Sequence, residues 1–116
     1  MKEFKRIIQV YKHHFWDFYN AQPEKVRKRI DWTIGLVRVL KIVPTRYFRH
    51  LTGYDGLWEI RTQVGNNIYR VFCCFDKGNL VILLSGFQKK SQKTPKKEIE
   101  KAKRLKNEYF DGKTKQ

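Results

Sequence analysis

Glu59, Arg61 and Arg70 stand in two β-prone runs, Leu57-Trp58-Glu59-Ile60-Arg61 and Ile68-Tyr69-Arg70-Val71-Phe72-Cys73-Cys74-Phe75. A third run, Leu80-Val81-Ile82-Leu83-Leu84, leads into Gln88-Lys89-Lys90-Ser91-Gln92-Lys93. Arginine is seldom buried unpaired, so two arginines within one small sheet call for a reason. If the third strand pairs with the second, the lysine loop ends beside Arg61 or Arg70. Such a cluster suits a phosphodiester: arginine offers planar paired donors and lysine a compact charge. Cutting RNA needs no metal when the ribose 2′-OH attacks. The protein has only to orient that hydroxyl, move protons and stabilise charge on the phosphorus. A lysine among other cations has a lowered pKa, which favours proton transfer.

The elements that must hold these residues follow from periodicity. Gly65-Asn66-Asn67 separates the first two runs, and Asn tolerates positive φ, so Asn66-Asn67 is expected as a two-residue turn. That turn pairs Gly65 with Ile68, Gln63 with Arg70, and Arg61 with Phe72. One face then carries Trp58, Ile60, Thr62, Val64, Tyr69, Val71, Cys73 and Phe75. The other carries Leu57, Glu59, Arg61, Gln63, Arg70, Phe72 and Cys74. A one-residue slip would drive Arg70 in among Trp58 and Ile60, so burial favours this phase. Asp76-Lys77-Gly78-Asn79 reads as the next turn. Leu80 to Leu84, apolar without alternation, reads as a strand covered on both faces. Gly86 suits a bend or a close backbone approach.

Ahead of the sheet, residues 4–11 read as a strand and residues 13–21 as a short helix with Phe15, Phe18 and Tyr19 at helical spacing. Pro23 fits the first position of a second helix. Its stripe is Val26, Ile30, Ile34, Val37 and Leu40, widened by Trp32, Leu36 and Val39, and it ends near Lys41 before Pro44. The two helices form a hairpin able to cover the Trp58/Ile60 face. Residues 45–56 read as a connection. Thr94 and Pro95 start a last helix as its cap and first residue. Ile99, Ala102, Leu105 and Tyr109 form a narrow stripe on it, Asp111-Gly112 end it, and residues 110–116 are a frayed tail. The fold class is α+β: an antiparallel sheet on an N-terminal helical hairpin, with a basic C-terminal helix. Residues 1–116 read as one domain.

Composition sets the partners. A net charge of +15 over 116 residues favours polyanions and salt-sensitive encounter. Eleven Lys and Arg against four Asp and Glu fall in residues 85–116, among them Lys96 and Lys97, which also fit a solvated helix start. The two adjacent cysteines point to opposite faces of a strand, so they do not bridge, and no zinc spacing occurs. This fits a reducing cytoplasm. No leader-like segment and no apolar run of spanning length occurs, so no membrane association is expected. His13, His14 and His50 lie away from the sheet and read as surface or packing residues. Ser85 lacks a hydrolase triad order, and no phosphate loop or HExxH pattern occurs.

Leu57-Trp58-Glu59-Ile60-Arg61, Tyr69-Arg70-Val71-Phe72 and the run Leu84-Ser85-Gly86-Phe87-Gln88-Lys89-Lys90-Ser91-Gln92-Lys93-Thr94-Pro95-Lys96-Lys97-Glu98-Ile99 with Ala102 resemble the HigB-like branch of the RelE/ParE toxin superfamily, including its phage-derived relatives. The resemblance covers roughly residues 50–106. It implies the toxin of a toxin–antitoxin pair, whose usual activity is ribosome-dependent cleavage of mRNA in the A site, without a metal or other cofactor. The implied partners are a cognate helix-turn-helix antitoxin, the ribosome and mRNA, and a small homo-oligomer is compatible with it. On this resemblance Arg61 and Arg70 stabilise phosphate. Lys89 and Lys90 carry protons or bind RNA, Glu59 orients the 2′-OH or acts as base, and Lys93, Lys96 and Lys97 bind RNA. Some relatives place a histidine or tyrosine at the end of the last strand, where this chain has Lys89 and Lys90. Relatives on the same fold also inhibit DNA gyrase, which is the alternative, non-enzymatic function.

Overall fold

The computed structural model describes residues 4–90 and 92–114. Five strands form one sheet in the order β1-β5-β4-β3-β2: β1 (Ile7–Val10), β2 (Phe48–His50), β3 (Trp58–Val64), β4 (Asn67–Asp76) and β5 (Leu80–Lys89). Helices α1 (His14–Asn20) and α2 (Glu24–Val39) cover one face, and α3 (Lys96–Thr114) covers the other. The α+β class and the helical hairpin are as the sequence implies. The sheet, however, is mixed, because β1 runs parallel to β5. The end of β1 feeds α1, which lies back across β5 and sets Phe18 against Gly86. A Cβ at Gly86 would stand 2.3 Å from the Phe18 ring, so this glycine is needed for the close approach.

The β3–β4 hairpin keeps the expected faces with a shifted register. Val64 pairs with Asn67, Gln63 with Ile68, and Arg61 with Arg70. The turn is Gly65-Asn66 rather than Asn66-Asn67. Gly65 takes φ +59, the conformation that a type II′ turn requires at its first central position. A shift of two residues leaves every side chain on its own face. Ile60, Tyr69, Val71 and Cys73 therefore pack with Phe15, Val26, Ile30 and Val37 from the helical hairpin. Phe72 and Cys74 pack with Ile99, Ala102 and Leu105 of α3. The two cysteines are free, buried and divided between the two cores.

Other boundaries differ from the sequence reading. The segment expected as a connection contains β2, an edge strand paired with β3. Strand β5 continues through Lys89, and α3 runs through Asp111 and Gly112 to Thr114, so residues 110–114 are helical rather than frayed. The α3 end is held from outside: the Tyr109 hydroxyl donates to Asp76 Oδ2 at 2.6 Å, and Lys113 pairs with the same oxygen. Pro23 sits one position ahead of α2, where its carbonyl accepts from the Val26 and Arg27 N–H groups. Trp32, Val39 and Leu40, expected in the α2 core stripe, are exposed. Thr33 is buried instead, its hydroxyl donating to the Arg29 carbonyl at 3.0 Å.

Candidate functional site

A β-bulge determines which side chains meet. Between Phe72 and Cys73 the β4–β5 register shifts, so that Ser85 faces Phe72 while Leu83 faces Cys73. Leu84 is the extra residue of β5. Val81 and Leu83 point into the core under α1 and α2, whereas Phe87 points into the core under α3. Strict alternation would have kept these odd-numbered residues on one face. The bulge thus turns Lys89, which pairs with Ile68 two positions from Arg70, onto the Arg70 face.

On that face Glu59 is the centre. It is 1% exposed, and three arginines converge on it. Arg49, its partner across β2–β3, donates from Nε to Oε1 at 3.2 Å. Arg61 Nε lies 3.4 Å from the same oxygen, and Arg70 Nε lies 3.9 Å from Oε2. The last two are ion pairs without hydrogen-bond geometry. Glu59 Oε2 and Arg61 Nε are buried with no hydrogen-bond partner. Arg61 is anchored elsewhere: its backbone N–H donates to the Tyr47 carbonyl at 2.8 Å and its Nη1 to the Thr45 carbonyl at 3.3 Å.

The charges do not balance. One carboxylate faces three guanidinium groups, and Arg61 stands directly across from Arg70, an unfavourable like-charge pairing. Burial and the nearby Arg61 lower the Arg70 pKa to about 10, partly offset by Glu59. The Arg70 side chain is only 7% exposed. Burial, then Arg70, also lowers the Lys89 ammonium below its ordinary value, with Arg61 and Arg49 adding and Glu59 opposing. The cluster carries excess positive charge around one carboxylate, an arrangement that suits an anion. Arg70 and Lys89 are poised to gain from a phosphate that offers two or more oxygens.

Glu59, Arg61, Arg70 and Lys89 of the sequence-derived set are brought together. Lys90 is exposed just past β5, and Lys93, Lys96 and Lys97 are exposed on the approach to α3 and its first turn. Lysines at a helix N-terminus oppose the helix dipole, a cost that an incoming polyanion removes. Arg49 is the member absent from the sequence-derived set, because its short strand carries no periodic signal and reads as a connection. His50 lies in the sheet rather than away from it, as the last residue of β2 beside Arg49, and meets the Trp58 ring edge-on at 5.5 Å, while His13 Nδ1 is 2.6 Å from Asp17 Oδ2. Among the described residues no three His, Cys, Asp or Glu side chains gather as a metal site, and no helix is long and apolar enough to cross a membrane.

A five-stranded mixed sheet with a helical hairpin on one face and a basic helix on the other is a RelE-like α+β fold. It is similar to a chain of the RelB–RelE antitoxin–toxin complex from Methanococcus jannaschii, with TM-score 0.53 and 22% identity over 75% of this chain and 99% of that one. Residues 17–107 match the family described as "Phage derived protein Gp49-like (DUF891)", and the chain belongs to that family. It matches no curated protein.

Proposed function

We propose that this protein is the toxin of a toxin–antitoxin pair, and that it cleaves mRNA on the ribosome without needing a metal. The observation that carries the reading is the under-neutralised cluster: Glu59 buried beneath Arg49, Arg61 and Arg70, with Lys89 turned onto the same face. The RelE-like fold and the excess positive charge support it.

The roles follow from exposure. Glu59 is too deeply buried to touch a ribose hydroxyl. It is a positioning residue that holds the three guanidinium groups against their mutual repulsion, in place of the two roles the resemblance implies, orienting the 2′-OH or acting as base. Arg61 and Arg70 bind the non-bridging oxygens of the scissile phosphate, and their donors gain most when charge builds on phosphorus. Lys89 has an ammonium of lowered pKa beside them and is the group that gives a proton to the leaving 5′ oxygen. Attack by the 2′-OH on phosphorus, its proton passing to solvent water, breaks the P–O5′ bond and leaves a 2′,3′-cyclic phosphate on the 5′ fragment and a 5′-hydroxyl on the 3′ fragment. Lys90, Lys93, Lys96 and Lys97 hold the RNA backbone. The ribosome presents a single codon in an extended shape and so contributes the alignment that a bare basic surface lacks. The partners are the ribosome, mRNA and a cognate antitoxin.

Arg70→Lys tests the assignment. It keeps the charge and removes the planar paired donors. Cutting of translated message should fall at least a hundredfold while co-sedimentation with ribosomes is retained. Equal losses of both would overturn the assignment of Arg70 to phosphate stabilisation.

A further inference from the structure

The exposed face of α2 is not used by the chemistry above. A cleft of about 530 Å³ opens between α2 and β3, and Arg29, Arg46, Arg61 and Arg70 line it with Tyr47. No carboxylate lines it, and no ion pair joins Arg29 or Arg46 to an acid among the described residues. Trp32, 42% exposed, lines the adjoining pocket, which shares Arg29 and Gln63 with the cleft and also holds Lys25, Lys28 and Glu24. The Arg29 guanidinium lies over the Trp32 ring at 4.0 Å, and the Tyr47 ring meets Trp32 edge-on at 5.4 Å. Trp32 thus keeps open ring surface beside a guanidinium that has no acid partner among the described residues. Arg29 and Arg46 have no acid among those residues, and Arg61 and Arg70 share the single carboxylate of Glu59 with Arg49, so the cleft suits an anion, and a tryptophan stacked with a guanidinium suits a flat ring. A nucleotide of single-stranded RNA supplies both.

We infer that the α2–β3 cleft is a second nucleotide subsite, in which a phosphate sits among Arg29, Arg46 and Arg61 and the attached base stacks on the Trp32–Arg29 pair. Arg61 and Arg70 belong to both the cleft and the Glu59 cluster, so the subsite holds a nucleotide adjacent to the one being cut. It fixes the strand's path across the end of β3. The inference rests on the proposed function only in taking RNA as the ligand. Stacking is indifferent to base identity, so this subsite contributes grip and register rather than sequence choice.

The test is a fluorescence anisotropy titration of the full chain with a labelled 12-nucleotide single-stranded RNA, without ribosomes, over a series of salt concentrations. Trp32→Ala should weaken binding roughly tenfold at every salt concentration, leaving the salt slope unchanged, because stacking carries no net charge. Trp32→Phe should restore most of the loss. Arg46→Gln should weaken binding and lower the salt slope by about one, as expected for one lost phosphate contact. Lys103→Gln on α3 is the charge-matched control and should change affinity far less than Arg46→Gln. Circular dichroism melts confirm that each variant folds. Unchanged RNA affinity in Trp32→Ala, or equal effects of Arg46→Gln and Lys103→Gln, would overturn the subsite. So would Trp32-dependent binding of a poly-glutamate peptide that RNA fails to displace, since that would assign the cleft to an acidic protein segment. The two readings fail separately. A protein that cuts translated message while Trp32→Ala binds RNA normally loses only the subsite. One that binds RNA through Trp32 but cuts nothing loses only the nuclease.

Discussion

Glu59→Gln removes one charge and almost no volume, and the structure sets the size of the effect. Breaking a buried ion pair by deleting one partner costs ~3–5 kcal/mol, because the other charge is left in a poorly solvated site. Three arginines face Glu59, but their exposures differ. The Arg49 side chain is half exposed and can turn toward water, where a pair is worth about 0–1 kcal/mol, and Arg61 keeps its hydrogen bond to the Thr45 carbonyl. Arg70 is the one left stranded. The glutamine still offers a carbonyl oxygen to Arg49, which places the loss at the lower end, about 3 kcal/mol. With roughly 4 °C per kcal/mol for a chain of this size, the melting temperature falls by about 12 °C. Urea denaturation of the wild type, Glu59→Gln, Arg70→Met and the double variant gives the coupling. The double variant should be about 2 kcal/mol more stable than additivity predicts, since the neutral side chain that replaces Arg70 needs no counter-ion. A Glu59→Gln loss below about 1 kcal/mol, or strict additivity, would refute the view that Glu59 holds buried Arg70.

The remaining predictions concern other parts of the fold. Gly86→Ala sets a Cβ against the Phe18 ring and should cost about 1–3 kcal/mol in a denaturant melt, with RNA binding retained. Asp76→Asn loosens the last turns of α3. Hydrogen bonds from Lys113, then Tyr109, hold the Asp76 carboxyl below its ordinary value, so its contribution is present above the ordinary aspartate range and is lost as pH falls through the lowered native value. Wild type and Asp76→Asn should therefore differ in melting temperature at pH 7 and converge as pH drops below about 4. Lys89→Met should lower single-turnover cutting by ~10²–10⁴ without loss of ribosome binding. Burial and Arg70 lower the Lys89 pKa, so wild-type cutting should decline with rising pH before the ordinary lysine range, and Lys89→Arg should shift that decline upward.

The face assignment of the β3–β4 hairpin is legible in the sequence because side chains alternate with a period of two, and any error in even steps preserves it. The observed register differs by two residues from the one the Asn66-Asn67 turn implies, yet Glu59, Arg61 and Arg70 still share a face. Composition points to the +15 charge but not to where its useful part lies. Several features are not legible. Strand β2 has three residues and a single buried one, Phe48, too little for a periodic signal, so Arg49 stays hidden. The β5 bulge occurs within an apolar run that shows no alternation to interrupt, and only pairing with β4 reveals it. Helical spacing admits Trp32 to the α2 core stripe, whereas the packing buries Thr33 there and leaves Trp32 outside. Parallel pairing of β1 is a long-range choice that no local pattern encodes.

Mapping mRNA 5′ ends in a purified translation mixture with the protein added, with and without ribosomes, shows whether the arginine cluster cuts message on the ribosome. New 5′-hydroxyl ends, in frame with codons, should appear on translated message alone and be lost in Arg70→Lys. Intact message at a protein concentration that halts translation would contradict that activity, as would cuts that appear equally on naked RNA. Inhibition of gyrase supercoiling with all message intact would assign the fold to the non-enzymatic alternative.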